Sequence, residues 1–187
     1  MNKTINVIED YEEMKEELRK IVTPQSVFVC IGTNSVMFDI FGPLCGDHLK
    51  NNKVPYYGDS ISNVNGLNMM ERLNQIYNID NIDNDNIIAI DASITKYEYR
   101  LNRVQITDET GVMPGAGVGR KFPMVGNKSI KMFTLLEKDL KKVMRGYKTC
   151  QGMKNDTSDI RKISISARLL CEMISEIYNE VCAIETI

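Results

Sequence analysis

The sequence predicts an α/β layered fold, and two observations support this prediction. Segments 26–32 and 86–91 are continuously apolar runs, the first ending in glycine and the second in a polar residue. A strand without polar alternation is typical of a parallel sheet that is covered on both faces. Between and after these runs, strand and helix patterns alternate, which indicates helices layered on a mostly parallel or mixed sheet.

The remaining elements follow in order along the chain. Residues 9–22 form the first predicted helix, because their apolar positions repeat at helical spacing and Asp10 stands at the capping position. The other predicted helices cover 43–52, 66–77, 134–146 and 159–183, and the other predicted strands cover 54–57, 103–107 and 128–133. We interpret residues 1–187 as a single α/β domain with a C-terminal helical extension from about residue 136.

Composition and charge exclude several classes of protein. The 187 residues are 43% hydrophobic and 26% charged with a net charge of −2, which is typical of a globular protein and not of a disordered or collagen-like chain. The near-neutral balance argues against direct binding of nucleic acid. No run approaches the roughly 20 apolar residues of a membrane helix, and residues 1–10 lack the pattern of a secretory signal. We therefore expect a cytoplasmic protein with neither a membrane nor a nucleic-acid partner.

Residues that bind metals are scarce in this chain. The single histidine, His48, has no second nitrogen ligand and no cysteine pair to join it, so we expect no metal site there. The run 83–86 lacks the central glycine and closing glutamate of a calcium loop. The five cysteines form no C-x-x-C pair and are predicted to be reduced, mostly buried thiols. Neither a metal nor another cofactor is expected.

Two acidic residues stand where open α/β sheets bind ligands, beyond the carboxyl ends of strands. Asp39 lies in the loop after the first apolar strand, just before a helix that begins near Pro43, and Asp91 ends the strand 86–91. Two carboxyl groups held close together share a proton, so one can act as a base on water while the other donates a proton. Such a pair suits amide hydrolysis. The alternative is that Asp39 is only a helix cap and Asp91 only a turn residue.

A glycine-rich segment covers residues 107–121. Gly115, Gly117 and Gly119 follow Pro114 in a G-x-G-x-G spacing, which differs from the G-x-G-x-x-G of dinucleotide sites and from the P-loop. Glycine permits a close approach of the backbone to a ligand. We predict that this loop lines a cleft and positions a peptide backbone, with a structural turn as the alternative.

Four motifs in a fixed order carry a resemblance to a known family. They are V-F-V-C-I-G-T at 27–33, D-I-F-G-P at 39–43, I-I-A-I-D-A at 87–92 and P-G-A-G-V-G at 114–119, and I-T-D-E-T-G at 106–111 adds to the match. Together they resemble the YyaC family of sporulation proteins, which are similar to the germination protease of endospore-forming bacteria. The resemblance covers roughly residues 26–135.

The resemblance implies a three-layer α/β/α sandwich of the phosphorylase/hydrolase-like type and an atypical aspartic peptidase. It places the two catalytic acids on Asp39 and Asp91. The implied substrates are small acid-soluble spore proteins, and the implied compartment is the cytoplasm of the forespore or the spore core. Asn34 stands where YyaC-type sequences often carry an acid, and we predict that it lines the substrate-binding cleft together with the glycine loop.

Two functions stay open on the sequence. The first is a peptidase associated with sporulation or germination. The second is a non-catalytic sporulation factor that binds a peptide or protein in the same cleft. The short chain, the absence of an obvious amino-terminal propeptide and Asn34 motivate the second function.

The last predicted helix carries an apolar stripe. Its members are Ile163, Ala167, Leu170, Ile174 and Ile177. A stripe of this kind suits either a homo-oligomer or packing within the chain.

Overall fold

A five-stranded mixed sheet forms the centre of the fold. The computed structural model describes residues 3–115, 122–146 and 157–184. The strands are β1 (Val27–Cys30), β2 (Tyr56–Tyr57), β3 (Ile87–Thr95), β4 (Val104–Thr107) and β5 (Lys128–Leu136). Their order is β2-β1-β3-β5-β4, in which β4 pairs antiparallel with β5 and the other pairs are parallel. The predicted α/β fold with a mostly parallel sheet is confirmed.

Helices precede, connect and follow the strands. They are α1 (Tyr11–Arg19), α2 (Phe41–Asn51), α3 (Met69–Asn74), α4 (Glu137–Gly146) and α5 (Thr157–Ile184). A π-helical turn, Gln75–Ile79, continues α3, and a 3₁₀ turn, Met37–Asp39, precedes α2. Although α5 is the longest helix in the described part of the chain, no helix there is long and apolar enough to cross a membrane.

Two apolar cores lie on opposite faces of the sheet. The first core joins the sheet to α1, α2 and α5, and the second joins it to α3 and the π-helical turn. In β3, Ile88 and Ile90 point into the first core, whereas Ile87 and Ala89 point into the second. Because side chains alternate between the faces of a strand, a strand between two cores must be apolar at every position. The layers are therefore helix, sheet and helix.

The apolar stripe of α5 packs within the chain. Its five residues are at most 1% exposed and belong to the first core, together with residues of α1 and α2. Two ion pairs also join α1 to α5: the Lys15 ammonium lies 2.7 Å from Glu176, and the Arg19 guanidinium lies 3.4 Å from Glu180. Of the two predicted uses of the stripe, the structure shows intramolecular packing, so the helical extension is part of the three-layer core.

Several element boundaries differ from the predictions. Asp10 is the N-cap residue of α1, but its carboxylate accepts a hydrogen bond from the backbone N–H of Asn6 and none from the helix. Strands β3 and β5 continue to Thr95 and Leu136, beyond the predicted ends at 91 and 133, because the two strands pair with each other along their whole length. The helix predicted from residue 134 consequently begins at Glu137.

Candidate functional site

The connections of β1 create a crevice at one edge of the sheet. From β1 the chain passes through α2, on the first-core face, to β2 on one side of β1. From β2 it passes through α3, on the opposite face, to β3 on the other side of β1. The strand order therefore reverses between β1 and β3, and open α/β sheets bind ligands outside the carboxyl ends of the strands at such a point.

Asp39 lies at the entrance to this crevice. It ends the 3₁₀ turn Met37–Asp39, and Ile40, not Asp39, is the N-cap residue of α2. The turn is held against β5 by a hydrogen bond of 2.6 Å from the Thr134 hydroxyl to the carbonyl of Phe38. Asp39 therefore does not cap α2, and its carboxylate is available at the crevice.

The backbone of this loop approaches the end of β1 very closely. Gly32 has φ +147°, and a β-carbon built on it would lie 2.1 Å from the carbonyl oxygen of Asp39. The backbone N–H of Thr33 donates to that same carbonyl at 3.2 Å. No side chain fits between the two segments. Because Gly32 has none, Asp39 can lie directly beside the end of β1.

Asp91 lies within β3 and not at its end. It is the first residue of β3 beyond the pairing with β1, which stops at the Cys30–Ile90 pair. Its alternation with Ile87 and Ala89 places its side chain on the second-core face. Asp91 is thus not a turn residue; it occupies the point where β3 extends past the end of β1, beside the crevice.

The two carboxyl groups influence each other electrostatically. Burial raises the pKa of Asp39 to about 6, against the lowering effect of the Thr33 N–H. Burial first, and then the charge of Asp39, raise the pKa of Asp91 well above its usual value. Asp91 retains some exposed surface, yet protein atoms closely surround its carboxyl group. Both pKa values are therefore raised, and Asp39 is expected to ionise before Asp91.

Lys131 is a third charged residue at this position, and sequence reasoning missed it. It lies on β5 in direct register with Asp91. Burial lowers the pKa of Lys131, while the charge of Asp91 acts in the opposite direction. A signal was present in the sequence, since Lys131 interrupts the apolar run of a predicted strand, between Ile130 and Met132.

The predicted lining residues have different outcomes. Asn34 is exposed, and its amide donates a hydrogen bond of 2.5 Å to the carbonyl of Ser60, which joins the loop after β1 to the loop after β2. Gly115 is described and has φ +73°. Gly117 and Gly119 lie outside the described residues. A role of these four residues in substrate binding stays a prediction.

A separate cavity of about 190 Å³ lies at the outer edge of the sheet, beside β2. Tyr57, Asp59 and Arg72 are among the residues that line it, and neither Asp39 nor Asp91 is. The acid pair at the strand ends is therefore separate from this cavity.

Neither a cluster of metal ligands nor a buried thiol is found at the crevice among the described residues. Within residues 3–115, 122–146 and 157–184, no three histidine, cysteine or acidic side chains are arranged to hold a metal ion. Cys30, Cys45 and Cys171 are buried thiols of the first core, as predicted, and Cys150 is outside the described residues. None of the three buried thiols lies at the crevice.

Comparison with known proteins identifies relatives of uncharacterised function. Residues 2–144, more than half of the chain, match the family described as "Protein of unknown function (DUF1256)". The chain is also 33% identical over 117 residues to a protein of Bacillus subtilis (strain 168) described as "Uncharacterized protein YyaC". That alignment covers 61% of this chain and 55% of the relative, so the chain spans about half the length of the protein that it matches. The predicted resemblance to YyaC is confirmed.

Proposed function

The chain belongs to the family described as "Protein of unknown function (DUF1256)", and we propose that it is a peptidase of the atypical aspartic type. Asp39 and Asp91 are its proposed catalytic pair. One observation carries the proposal: both carboxyl groups lie at the crevice between β1 and β3, and each has a raised pKa. Raised and separated pKa values in a pair of carboxyl groups are typical of acid–base catalysis.

The order of ionisation assigns a role to each acid. Asp39, ionised first, accepts a proton from water while the water oxygen forms a bond to the carbonyl carbon of the peptide. Asp91, still protonated, donates its proton to the amide nitrogen as the C–N bond breaks. Transfer of the accepted proton from Asp39 to Asp91 then restores the starting state. The chemistry requires neither a metal ion nor a side-chain nucleophile.

The proposed substrates come from the motif resemblance to germination protease. The D-I-F-G-P and I-I-A-I-D-A motifs contain the two acids of the crevice, and the resemblance implies that the same motifs carry the catalytic pair of that protease. We therefore propose small acid-soluble spore proteins as substrates and the cytoplasm of the forespore or spore core as the location.

Cleavage of a purified small acid-soluble spore protein tests the proposal. The wild-type protein is compared with Asp39→Asn, Asp91→Asn and the control Glu16→Gln, whose exposed side chain lies on α1, away from the crevice. We expect the wild type and the control to cleave the protein, and each crevice variant to lose at least about 100-fold in rate, the typical contribution of a general acid or base. Circular dichroism establishes that each variant is folded.

The outcomes separate the two functions that the sequence leaves open. Cleavage by both folded crevice variants at the wild-type rate overturns the assignment of the acid pair. Saturable binding of the spore protein by the wild type without cleavage, from acid to neutral pH, replaces the peptidase with a binding protein that uses the same cleft.

A further inference from the structure

A row of three polar side chains crosses the sheet beside the crevice. Asp91 of β3 is in register with Lys131 of β5, and Lys131 is in register with Gln105 of the antiparallel edge strand β4. Residues directly opposite each other in neighbouring strands project to the same face of a sheet. The three side chains therefore lie side by side on the face opposite the first core.

The flanking positions on β5 show why a lysine there is unusual. Ile130 and Met132, on either side of Lys131 in the chain, are fully buried in the first core. Lys131 points the other way and is itself half-buried. A half-buried ammonium loses hydration, and a nearby carboxylate offsets part of that cost. The carboxylates placed to do so are those of the crevice.

Within the part of the chain that the structure describes, the charged groups at the pair come from three elements. Asp39 reaches the pair from the 3₁₀ turn, Asp91 from β3 and Lys131 from β5, and the neighbour on β4 is the uncharged Gln105. The electrostatic influences on Asp91 come from Asp39 and Lys131, with opposite signs. When one of the two carboxyl groups is ionised, the ammonium makes the net charge of the group zero.

We propose that Lys131 is a positioning residue whose ammonium, aligned with Asp91 by the β3–β5 register, holds the acid pair in its singly ionised form. The role of Lys131 in catalysis rests on the proposed function, whereas its effect on the titration of the pair can be measured without any activity. Without the ammonium, the pair keeps its protons to higher pH, because the ionised state loses the positive charge that lowers the pKa of Asp91. Lys131 then sets the pH range in which the pair is singly ionised, although β5 carries neither of the two acids.

The test measures the titration of the two carboxyl groups directly. Carboxyl ¹³C NMR follows Asp39 and Asp91 in the wild type, in Lys131→Met and in Lys131→Arg. We expect Lys131→Met to raise the apparent pKa values of the pair by about one unit, the lower end of the effect of a charge within a few ångströms, and Lys131→Arg to restore them. Lys128→Met is the matched control, because Lys128 lies on the same strand and donates to the carbonyl of Ile21.

A reciprocal measurement keeps the inference testable if Lys131→Met does not fold. The side-chain ¹³Cε signal of Lys131 is titrated in the wild type and in Asp91→Asn. Because the charge of Asp91 acts to raise the pKa of Lys131, its removal is expected to lower that pKa.

The two proposals fail in different ways. Identical titration of the acid pair in the wild type and folded Lys131→Met overturns the role of Lys131, whatever the activity. An unchanged Lys131 titration in Asp91→Asn overturns it as well. A shift of the pair in Lys131→Met supports this role even if the wild type cleaves no spore protein, in which case only the proposed function fails. If cleavage occurs, its pH profile is expected to move upward in Lys131→Met and to return in Lys131→Arg.

Discussion

Gly42, at the start of α2, lies against Ile31, just beyond the end of β1, so closely that a β-carbon on Gly42 would be 2.0 Å from the Ile31 carbonyl oxygen. A real β-carbon cannot occupy that position. At this contact the backbone of α2 packs directly on the end of β1. At the second close approach, the backbone of Gly32 packs directly on that of Asp39. The glycine of the D-I-F-G-P motif is therefore a packing requirement that places Asp39 above the strand end.

The substitution Gly42→Ala is predicted to destabilise the protein. The added methyl group must push α2 away from β1, and overpacking of this kind costs about 1–3 kcal/mol. Urea unfolding measures the difference in the free energy of unfolding. The control is Gly66→Ala, since Gly66 is exposed and has an ordinary φ, and it is expected to change the free energy by less than about 0.5 kcal/mol. Equal stability of Gly42→Ala and wild type would contradict this account of the motif.

Asp39→Asn is predicted to stabilise the folded protein at neutral pH. The pKa of Asp39 is raised from 3.8 to about 6 in the folded state, so between about pH 4 and pH 6 the native state binds more protons than the unfolded state. The free energy of unfolding therefore falls as pH rises through this range. At about 1.4 kcal/mol per pKa unit, the gain at pH 7 is at most about 3 kcal/mol, less the part screened by solvent.

Denaturant unfolding of Asp39→Asn and wild type from pH 3 to pH 8 measures this gain. The stability difference is expected to vanish below about pH 4, where the carboxyl group is protonated in both states. A variant that is less stable than the wild type at pH 7 would show that Asp39 stabilises the fold in its ionised form, which is the opposite of the present conclusion.

The rate of peptide hydrolysis is predicted to depend on pH through the singly ionised pair. The rate rises as Asp39 ionises, with a midpoint near its pKa of about 6. It falls at higher pH when Asp91 loses its proton, because the pair then has no acid to protonate the leaving amide nitrogen. Steady-state kcat/KM across pH 4–9 measures both limbs. A profile that is flat from pH 5 to pH 7 is incompatible with Asp39 as the base.

Asp59 is predicted to stabilise the loop after β2. It is 4% exposed, and burial acts to raise its pKa. The backbone N–H of Ser62 (2.6 Å), the Lys50 ammonium (3.1 Å) and the Tyr56 hydroxyl (3.0 Å) donate to its carboxylate and lower that pKa to about 2. The stabilisation is full above about pH 4 and is lost as pH falls through about 2.

The substitution Asp59→Asn tests this assignment. It is expected to cost about 2 kcal/mol at pH 7, from the difference between the folded and unfolded pKa values, and progressively less below pH 4. Thermal unfolding at pH 7 and pH 3 measures the effect, with Asp108→Asn as the control. A loss of the same size at both pH values would mean that the carboxylate stabilises the loop through its shape alone.

Local patterns predicted the elements better than their boundaries. The apolar runs of β1 and β3 were recognisable because both of their faces are buried, and the helix after Asp39 was recognisable from Pro43, which suits the first turn of a helix. The end of β3 was not recognisable from the sequence. Residues beyond Asp91 stay in the strand only because they pair with β5, which is about 40 residues away in the chain. For the same reason, Asp91 was expected at a strand end and lies within a strand.

The sequence by itself determined the alternation of strands and helices, the apolar faces and the two acids of the motifs, because side-chain periodicity and glycine sterics act over a few residues. Only the tertiary structure decided that Asp39 and Asp91 influence each other, that α5 buries its stripe within the chain and that Lys131 lies beside Asp91. These relationships depend on strand order and on the register of hydrogen bonds between distant segments. A shift of one residue in that register would turn Lys131 to the other face of the sheet, and no local pattern specifies it alone.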